Sequence, residues 1–535
     1  MFGSITRRAT LAAFLAGTAF VLPMGTAAFA ETPSDTLVYG TSLAQVISLD
    51  PHQGQEATSL EIMANLYDRL VGSMPDGSLP PQLAESWEIR ETSITFKLRE
   101  NAVFASGRPV TAEDVVWSLN RLMAMDQAPS SKLKPAGYTK ENIGGMLHAI
   151  DARTFRIDLT GNIAPDLLLY RLSEVAASIV DREAVESNAV NGDNGNEWLR
   201  TNGAGSGPFA LKRWSPNDIV LMEGREDYWA GAPKLKRVIM RHVPESQVER
   251  LMLEGGDIDI AGALSAGDTL HFQGSDSVTI QQVPTGGFYV LAMNMERKEL
   301  AEPKVREAIF KSIDYAGIAS AILGPYGRVR HIPVPENYAS AIPDPEGWSY
   351  DPTAAKAILE EAGYGDGFTV NIKTIAQTPR VDLATSVQAA LAEIGITANV
   401  VQGSGADIIS AHRARDFDIL IPQTGAYMPN VMGSMEQFSS NPDNSREANN
   451  AGNFVWRSAW DIPELTEVTA AALREQDTTK RATLYTEMQE QFVRAVPAVF
   501  PMFERFLPVA VSNRVVGYQG HAQNVVRLEN VTKAD

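Results

Sequence analysis

The chain has 535 residues, with 65 acidic against 46 basic side chains and a net charge of −19, which argues against nucleic acid as a partner and reads first as the solubility of a large acidic protein. It contains no cysteine, so disulfides, a nucleophilic thiol and a thiolate metal site are excluded. A single hydrophobic core rarely holds a chain of this length, so two or more lobes are expected.

In chain order, Arg7 and Arg8 precede an apolar run from Leu11 to Leu22, and Ala28, Phe29 and Ala30 supply small residues suited to a signal peptidase. The run is too short to span a bilayer and reads as an export signal over 1–30. Thr6 to Leu11 also has the look of a weak twin-arginine signal. Removing this segment takes away Arg7 and Arg8, leaving 44 basic against 65 acidic side chains, a net charge of −21.

The spacing predicts a first strand over Leu37–Thr41, an X-Pro turn at Asp50-Pro51, and a helix over Thr58–Leu70 through Leu60, Met63, Leu66, Tyr67 and Leu70. The segment Leu83–Leu122 is the most informative. Ile94, Phe96 and Leu98 alternate with Thr95, Lys97 and Arg99 as a half-buried strand does, and Asn101, Gly107 and Pro109 then break it. A helix follows, with Thr111 as N-cap to the amide of Asp114, Glu113 and Asp114 at the positive end of the dipole, and Val115, Leu119, Leu122 and Met123 as one apolar stripe.

The wording of that segment narrows the reading further. The AESW, TFKLRENAVFASGRPVTAEDV and WSLNRL runs, with the earlier LDP turn and LYDRL helix end, resemble the peptide/nickel class of extracellular solute-binding proteins (family 5). The resemblance implies a two-lobed α/β periplasmic binding protein fold with mixed sheets, a hinge and an interlobe cleft. It also implies a monomer that hands a small-molecule or peptide ligand to the membrane permease subunits of an ABC importer, with no cofactor and no enzymatic activity. Without a cysteine for lipid anchoring, the periplasm of a two-membrane bacterium is the expected location.

Beyond Met125, residues up to Gly145 read as an exposed excursion, Ile150–Leu159 as a strand and Pro165–Val175 as a helix. Asn191–Glu197 is rich in oxygen ligands but lacks calcium-loop spacing, so a solvated turn is the better reading. Gly203–Phe209, GAGSGPF, has neither phosphate-loop spacing, and resembles the family's glycine-rich turn, where glycines serve tight backbone geometry. Leu251–Ile260 reads as a helix running into a short strand.

From Gly287 a strand–helix alternation begins: a strand from Phe288, a helix from Pro303, a helix from Pro352 capped by Asp351 and closed by Gly363, and a strand over Phe368–Ile375. A helix over Val381–Ile394 closed by Gly395, a strand over Ile396–Gln402, a helix over Ala406–Arg415 and a strand over Phe417–Pro422 continue it. This order calls for a mostly parallel sheet covered by helices. After helices near Glu464–Glu475 and Lys480–Arg494, Ala498–Phe503 and Leu507–Val511 read as two strands returning to the first lobe. The expected lobes are 31–286, with an inserted subdomain near 70–200, and 287–499, with 500–535 returning. The crossings near Gly287 and Pro497–Phe503 form the hinge.

Ligands of open α/β sheets bind outside the carboxyl ends of the strands, here the turns Ala376–Arg380 and Gln423–Asn430. Arg380 begins a helix, where its fork and free amides suit an anion. In dipeptide-binding relatives an arginine in a similar segment holds the ligand carboxylate and the aspartate of a TGD turn holds the ammonium. Here Thr424-Gly425-Ala426 matches the turn with Ala426 in place of the aspartate, so the resemblance points away from an ordinary free-amine dipeptide. The candidate ligand-binding set is Arg380, Gln423, Thr424, Tyr427 and Phe288, holding a carboxylate-bearing organic solute such as a modified peptide or an opine-like compound; sugar and nickel-chelate cargoes are the alternatives on this fold.

A secreted hydrolase is the competing class. No GxSxG, HExxH or SxxK motif occurs, and the seven histidines, His52, His148, His242, His271, His331, His412 and His521, have no metal-ligand spacing, so direct binding of a metal is not expected.

Overall fold

The computed structural model describes residues 32–425, 430–450 and 452–534. An eleven-stranded mixed sheet runs through it, and a separate four-stranded antiparallel sheet stands to one side. The export segment 1–30 and Tyr427 lie outside the described residues.

The four-stranded sheet is built from Ala84–Arg90, Ser93–Leu98, Leu147–Asp151 and Thr154–Asp158. The strand expected over Ile150–Leu159 is a hairpin instead, because Ala152 and Arg153 turn the chain between two short strands. Its core includes Ile94, Phe96, Leu98, Phe155 and Ile157, none more than 1% exposed, and Phe96 stacks on Phe155 at 5.9 Å.

Across this sheet lies the helix Ala112–Met125, whose Thr111 cap is a full capping box: Thr111 Oγ1 accepts from the Asp114 amide, and the Thr111 amide donates to Asp114 Oδ2 at 2.9 Å. Asp114 is held from outside by Arg108 at 2.5 Å, which also pairs with Asp181 at 2.9 Å. At the other end Arg121 donates both Nη groups to Asp50, at 2.9 and 2.6 Å, in an almost fully buried pair. The arginine of WSLNRL is thus tied to the aspartate of the LDP turn. Asn196 donates to the same carboxylate at 2.8 Å, and the Asn191–Glu197 segment is a self-capped turn, with Asp193 accepting from the amides of Val190, Gly195 and Glu197.

The glycine-rich turn is a close approach between two backbones. A Cβ on Gly205 would stand 2.1 Å from the Leu66 carbonyl oxygen, and one on Gly207 2.5 Å from that of Asn65. These carbonyls end the helix Ala57–Leu66, and the Gly207 amide donates to Leu66 O at 3.0 Å.

In the large sheet the strand Thr36–Thr41 is parallel to both Arg237–His242 and Ile260–Ala261. The last residues of the chain return beneath it. Lys533, its side chain fully buried, donates to Asp259 Oδ2 at 3.0 Å and to the carbonyls of Thr32, Pro33 and Thr36, while Asp259 also accepts from the Val38 amide at 2.7 Å.

The second half is the expected alternation. Thr369–Ile375 is parallel to Thr397–Gly403 and to Ile419–Leu420, and the latter pairs antiparallel with Ala292–Met293. Asp351 accepts from the Ala354 amide, and Gly363 and Gly395 close their helices at φ of 84° and 91°.

The two halves of the sheet are joined by two long strands, Val278–Met293 and Val499–Ser512, paired antiparallel from Val278 opposite Ser512 to Ala292 opposite Val499. Each runs unbroken through what the sequence suggested was a strand start or a gap between strands. Continuity fails at two places: the register slips between Pro284 and Phe288, so that Thr285, Gly286 and Gly287 bulge opposite Arg505, and again between Tyr289 and Val290, opposite Met502. A second contact joins the halves away from this pivot. One apolar cluster contains residues from 70–179 and from 431–499, the Ala164 amide donates to Leu473 O at 2.7 Å, and Asp166 pairs with Arg481, Oδ1 lying 2.9 Å from Nη1.

The glycine contacts give a direct test. Gly207→Ala should cost about 3 kcal/mol of stability, since its methyl must displace the end of a packed helix; a urea midpoint unchanged from wild type would show that the two backbones can separate freely.

Candidate functional site

The turn that follows Leu420 at the carboxyl edge of the second-half sheet packs on the long strand Val278–Met293 where its register slips. Gly287 faces the turn after Leu420 so closely that a Cβ there would stand 2.5 Å from Gly425 O and 2.8 Å from Thr424 O. This proximity lets Thr424 staple the turn to the long strand: its Oγ1 accepts from the Phe288 amide at 2.7 Å and its own amide donates to Phe288 O at 2.9 Å. With the Val290 amide donating to Pro422 O at 3.0 Å, that backbone bond sets Tyr289 opposite Gln423.

Arg505 stands opposite the bulge. Its Nη1 donates to Thr424 O at 2.7 Å, its guanidinium lies 5.4 Å from the Tyr289 ring centroid, and its Nε is buried without a hydrogen-bond partner. Period two sends the preceding Glu504 to the opposite face, where it is fully buried and pairs with Arg328 at 2.8 Å. Burial raises the Glu504 carboxyl's pKa, against the pull of Arg328.

Arg380 opens the helix Arg380–Glu393, which no side chain caps, and donates to Gln377 Oε1 at 2.5 Å. Burial lowers its pKa, Tyr289 pulls it up, and the nearby charge of Arg505 lowers it again. Arg505 lies against Tyr289, Arg380 is near enough for the Arg505 charge to act on it, and among the described residues neither guanidinium is paired with a carboxylate. Such a pair presents donors to an anion and has no partner of its own.

Of the five residues expected at the site, Arg380 and Gln423 are placed around this point, half-exposed and exposed respectively. Thr424 is 1% exposed, and both its backbone amide and its hydroxyl are engaged with Phe288, so its work is to hold the turn. The Phe288 ring is fully buried and packs edge-on against Phe438 at 6.0 Å, which makes it core in this arrangement rather than pocket wall. Tyr427 lies outside the described residues. Arg505 and Tyr289 were missed. The signal for Arg505 was present, since Glu504-Arg505 interrupts an otherwise apolar run.

On the opposite side Tyr326 lies near both Tyr289 and Glu249, and its hydroxyl donates to Leu264 O. Glu249 Oε1 accepts from the amides of Gly262 and Ala263 at 2.8 and 3.2 Å, while its Oε2 is buried without a partner. Burial raises this carboxyl to about 7.

The histidines are apart from one another. His52 Nδ1 accepts from Arg121 Nη1 at 2.8 Å, His331 stacks on Phe500 at 5.0 Å, and His412 meets Phe417 edge-on at 5.2 Å.

A mixed sheet whose two halves are joined by a pair of long strands, with helices over its parallel half, is the architecture of the two-lobed α/β binding proteins. The family model for bacterial extracellular solute-binding proteins, family 5, matches residues 78–446, and the chain belongs to that family. Among curated relatives, the probable D,D-dipeptide-binding periplasmic protein DdpA of Escherichia coli K12 is 28% identical over 522 residues, 96% of each chain. The dipeptide-binding protein of the same strain is 25% identical over 456 residues, 81% of this chain and 83% of the relative. Among solved structures, HbpA2 from Haemophilus parasuis superposes with a TM-score of 0.80 at 24% identity, covering 94% of this chain and 100% of that one. MoaA from A. tumefaciens R10, in complex with mannopinic acid, gives a TM-score of 0.71 at 24% identity over 94% of this chain and 99% of that one. Family and relatives alike are substrate-binding proteins, and no helix among the described residues is long and apolar enough to cross a membrane.

The raised carboxyl of Glu249 makes stability depend on pH. Between about 4.5 and 7 the unfolded chain releases this proton before the folded one does, so stability falls as pH rises, and above 7 the penalty is complete. Glu249→Gln keeps the acceptor for Gly262 and Ala263. Its Tm should rise by a few degrees at pH 8 and stay level near pH 4.5, and a gain equal at both would refute the assignment.

Proposed function

We propose that this protein is the periplasmic capture component of an ABC importer and that its cargo is a carboxylate-bearing organic solute, a modified peptide or an opine-like compound. The observation that supports the cargo class is that Arg380 and Arg505 are electrostatic neighbours and no carboxylate of the described chain is paired to either. A ligand carboxylate there would supply the missing counter-charge, fill the unpartnered Arg505 Nε, and sit over the uncapped start of the Arg380 helix. Gln423, exposed beside Tyr289, is placed to add a hydrogen bond. Ala426, where dipeptide-binding relatives carry an aspartate, leaves no charge in that turn position for a free ammonium. N-blocked or amine-modified carboxylates are the preferred ligands in this reading.

The lobes are taken as 31–286, carrying the subdomain with the four-stranded sheet, and 287–499, with 500–535 returning and 1–30 removed on export. The two long strands make the hinge, and its flexing point is the bulge Thr285–Gly287. With the ligand carboxylate bound at Arg505, the ligand sits at the pivot itself.

A thermal-shift screen that includes D,D-dipeptides, their N-acetylated forms, glutathione and mannopinic acid identifies the ligand, since saturation at a hundred times Kd stabilises the native state by about 2.7 kcal/mol. For that ligand, Arg380→Ala and Arg505→Ala should each weaken binding by about 2 kcal/mol or more in calorimetry. Affinity within twofold of wild type in both variants would remove the paired guanidinium groups from the site. Small-angle scattering should show a smaller radius of gyration at saturation, and an unchanged radius would count against hinge closure.

A further inference from the structure

A cavity of about 980 Å³ lies between the turn Gly72–Gln82, the hairpin tip Tyr228–Lys234 and the tail Gly517–Thr532. No residue of 287–499 lines it, so it is separate from the cleft described above. Arg69 is its unusual member. The side chain is 0% exposed, and guanidinium Nε and Nη1 are buried with no hydrogen-bond partner. Native folds rarely leave such donors unmet, and a buried charge without its partner is among the costlier arrangements a fold can carry.

The carboxylates nearby are already engaged. Asp68 accepts from Trp229 Nε1 at 2.9 Å and from Arg527 at 3.1 Å, and Glu529 pairs with Arg527 at 3.1 Å. Charged groups lining the cavity are Arg69, Lys234 and Arg527 against Glu529 alone, so the balance of the wall is positive. Burial pushes His521 down to about 4, and its Nε2 lies 3.2 Å from Ser73 Oγ, so it is a neutral polar group at physiological pH. Met74, Pro80, Pro81, Trp229 and Val525 supply apolar wall on either side. Burial also lowers the Arg69 guanidinium to about 10, which leaves it charged at neutral pH and in want of an anion.

We propose that this cavity is a second ligand site, independent of the cleft, which takes a small organic anion: the oxyanion lies on Arg69 Nε and Nη1 and the apolar body rests against Pro80, Pro81 and Trp229. The site is tested in the full chain carrying Arg380→Ala and Arg505→Ala to silence the cleft, with 4-fluorobenzoate as probe and ¹⁹F NMR as readout. Saturable one-to-one binding is expected. It should weaken at least tenfold in Arg69→Leu, which removes the unmet charge and keeps the volume, and in Ala232→Trp, which blocks the mouth and leaves Arg69 in place. No saturable binding at millimolar probe overturns the proposal, as does weakening in only one of the two folded variants. Should Arg69→Leu fail to fold, Ala232→Trp decides alone.

Discussion

Everything functional in this molecule depends on two strands being long enough to belong to both halves of it. Val278–Met293 and Val499–Ser512 carry a single hydrogen-bonded ladder from one lobe to the other, so the lobes cannot separate without leaving backbone groups unpaired. Within that ladder the register slips at Thr285–Gly287, where the strand makes fewer bonds to its neighbour. Arg505 is the single residue facing that slip, and its carbonyl accepts from Thr285 Oγ1 at 3.0 Å. The Arg505 side chain is therefore mounted at an irregularity of the sheet, and Thr424 ties the neighbouring turn to the same place.

The rest of the first lobe is stiff by comparison. Arg121 with Asp50, Arg108 with Asp114 and Asp181, and Arg527 with Asp68 and Glu529 are ion pairs at the joints between elements, each largely shielded from water. Pairs of this kind add little net stability over apolar contacts of the same size, but breaking one partner is costly, and they fix which elements meet.

Much of the fold was legible in the sequence. The Thr111 capping box, the Asp351 cap, the Gly363 and Gly395 closures and the strand–helix order of the second half all follow from local chemistry, and the structure has them within a few residues. The long strands were not legible as such. Gly286 and Gly287 look like a terminus because glycine is rare inside strands, whereas here they allow a bulge and a close approach to Gly425. At the site, Arg380 was legible because it stands at a helix start after a strand. The burial of Phe288 was not legible, since an aromatic at a strand end looks the same whether it faces solvent or Phe438. Arg505 was overlooked because its apolar neighbours spoke for a core strand. The orphaned donors of Arg69 depend on side chains distant in sequence, and no local pattern announces them.

Lys533 has a consequence for how the chain reaches its native state. Its ammonium satisfies the carbonyls of Thr32, Pro33 and Thr36 and the buried Asp259, so the strand Thr36–Thr41 is completed by a residue 497 positions beyond Thr36. A loop of that length is costly in entropy to close, and contacts of such separation slow folding. Until this one forms, the strand Thr36–Thr41 lacks one side of its surroundings and Asp259 lacks its counter-ion. The first strand of the large sheet therefore cannot finish its own neighbourhood from the residues around it.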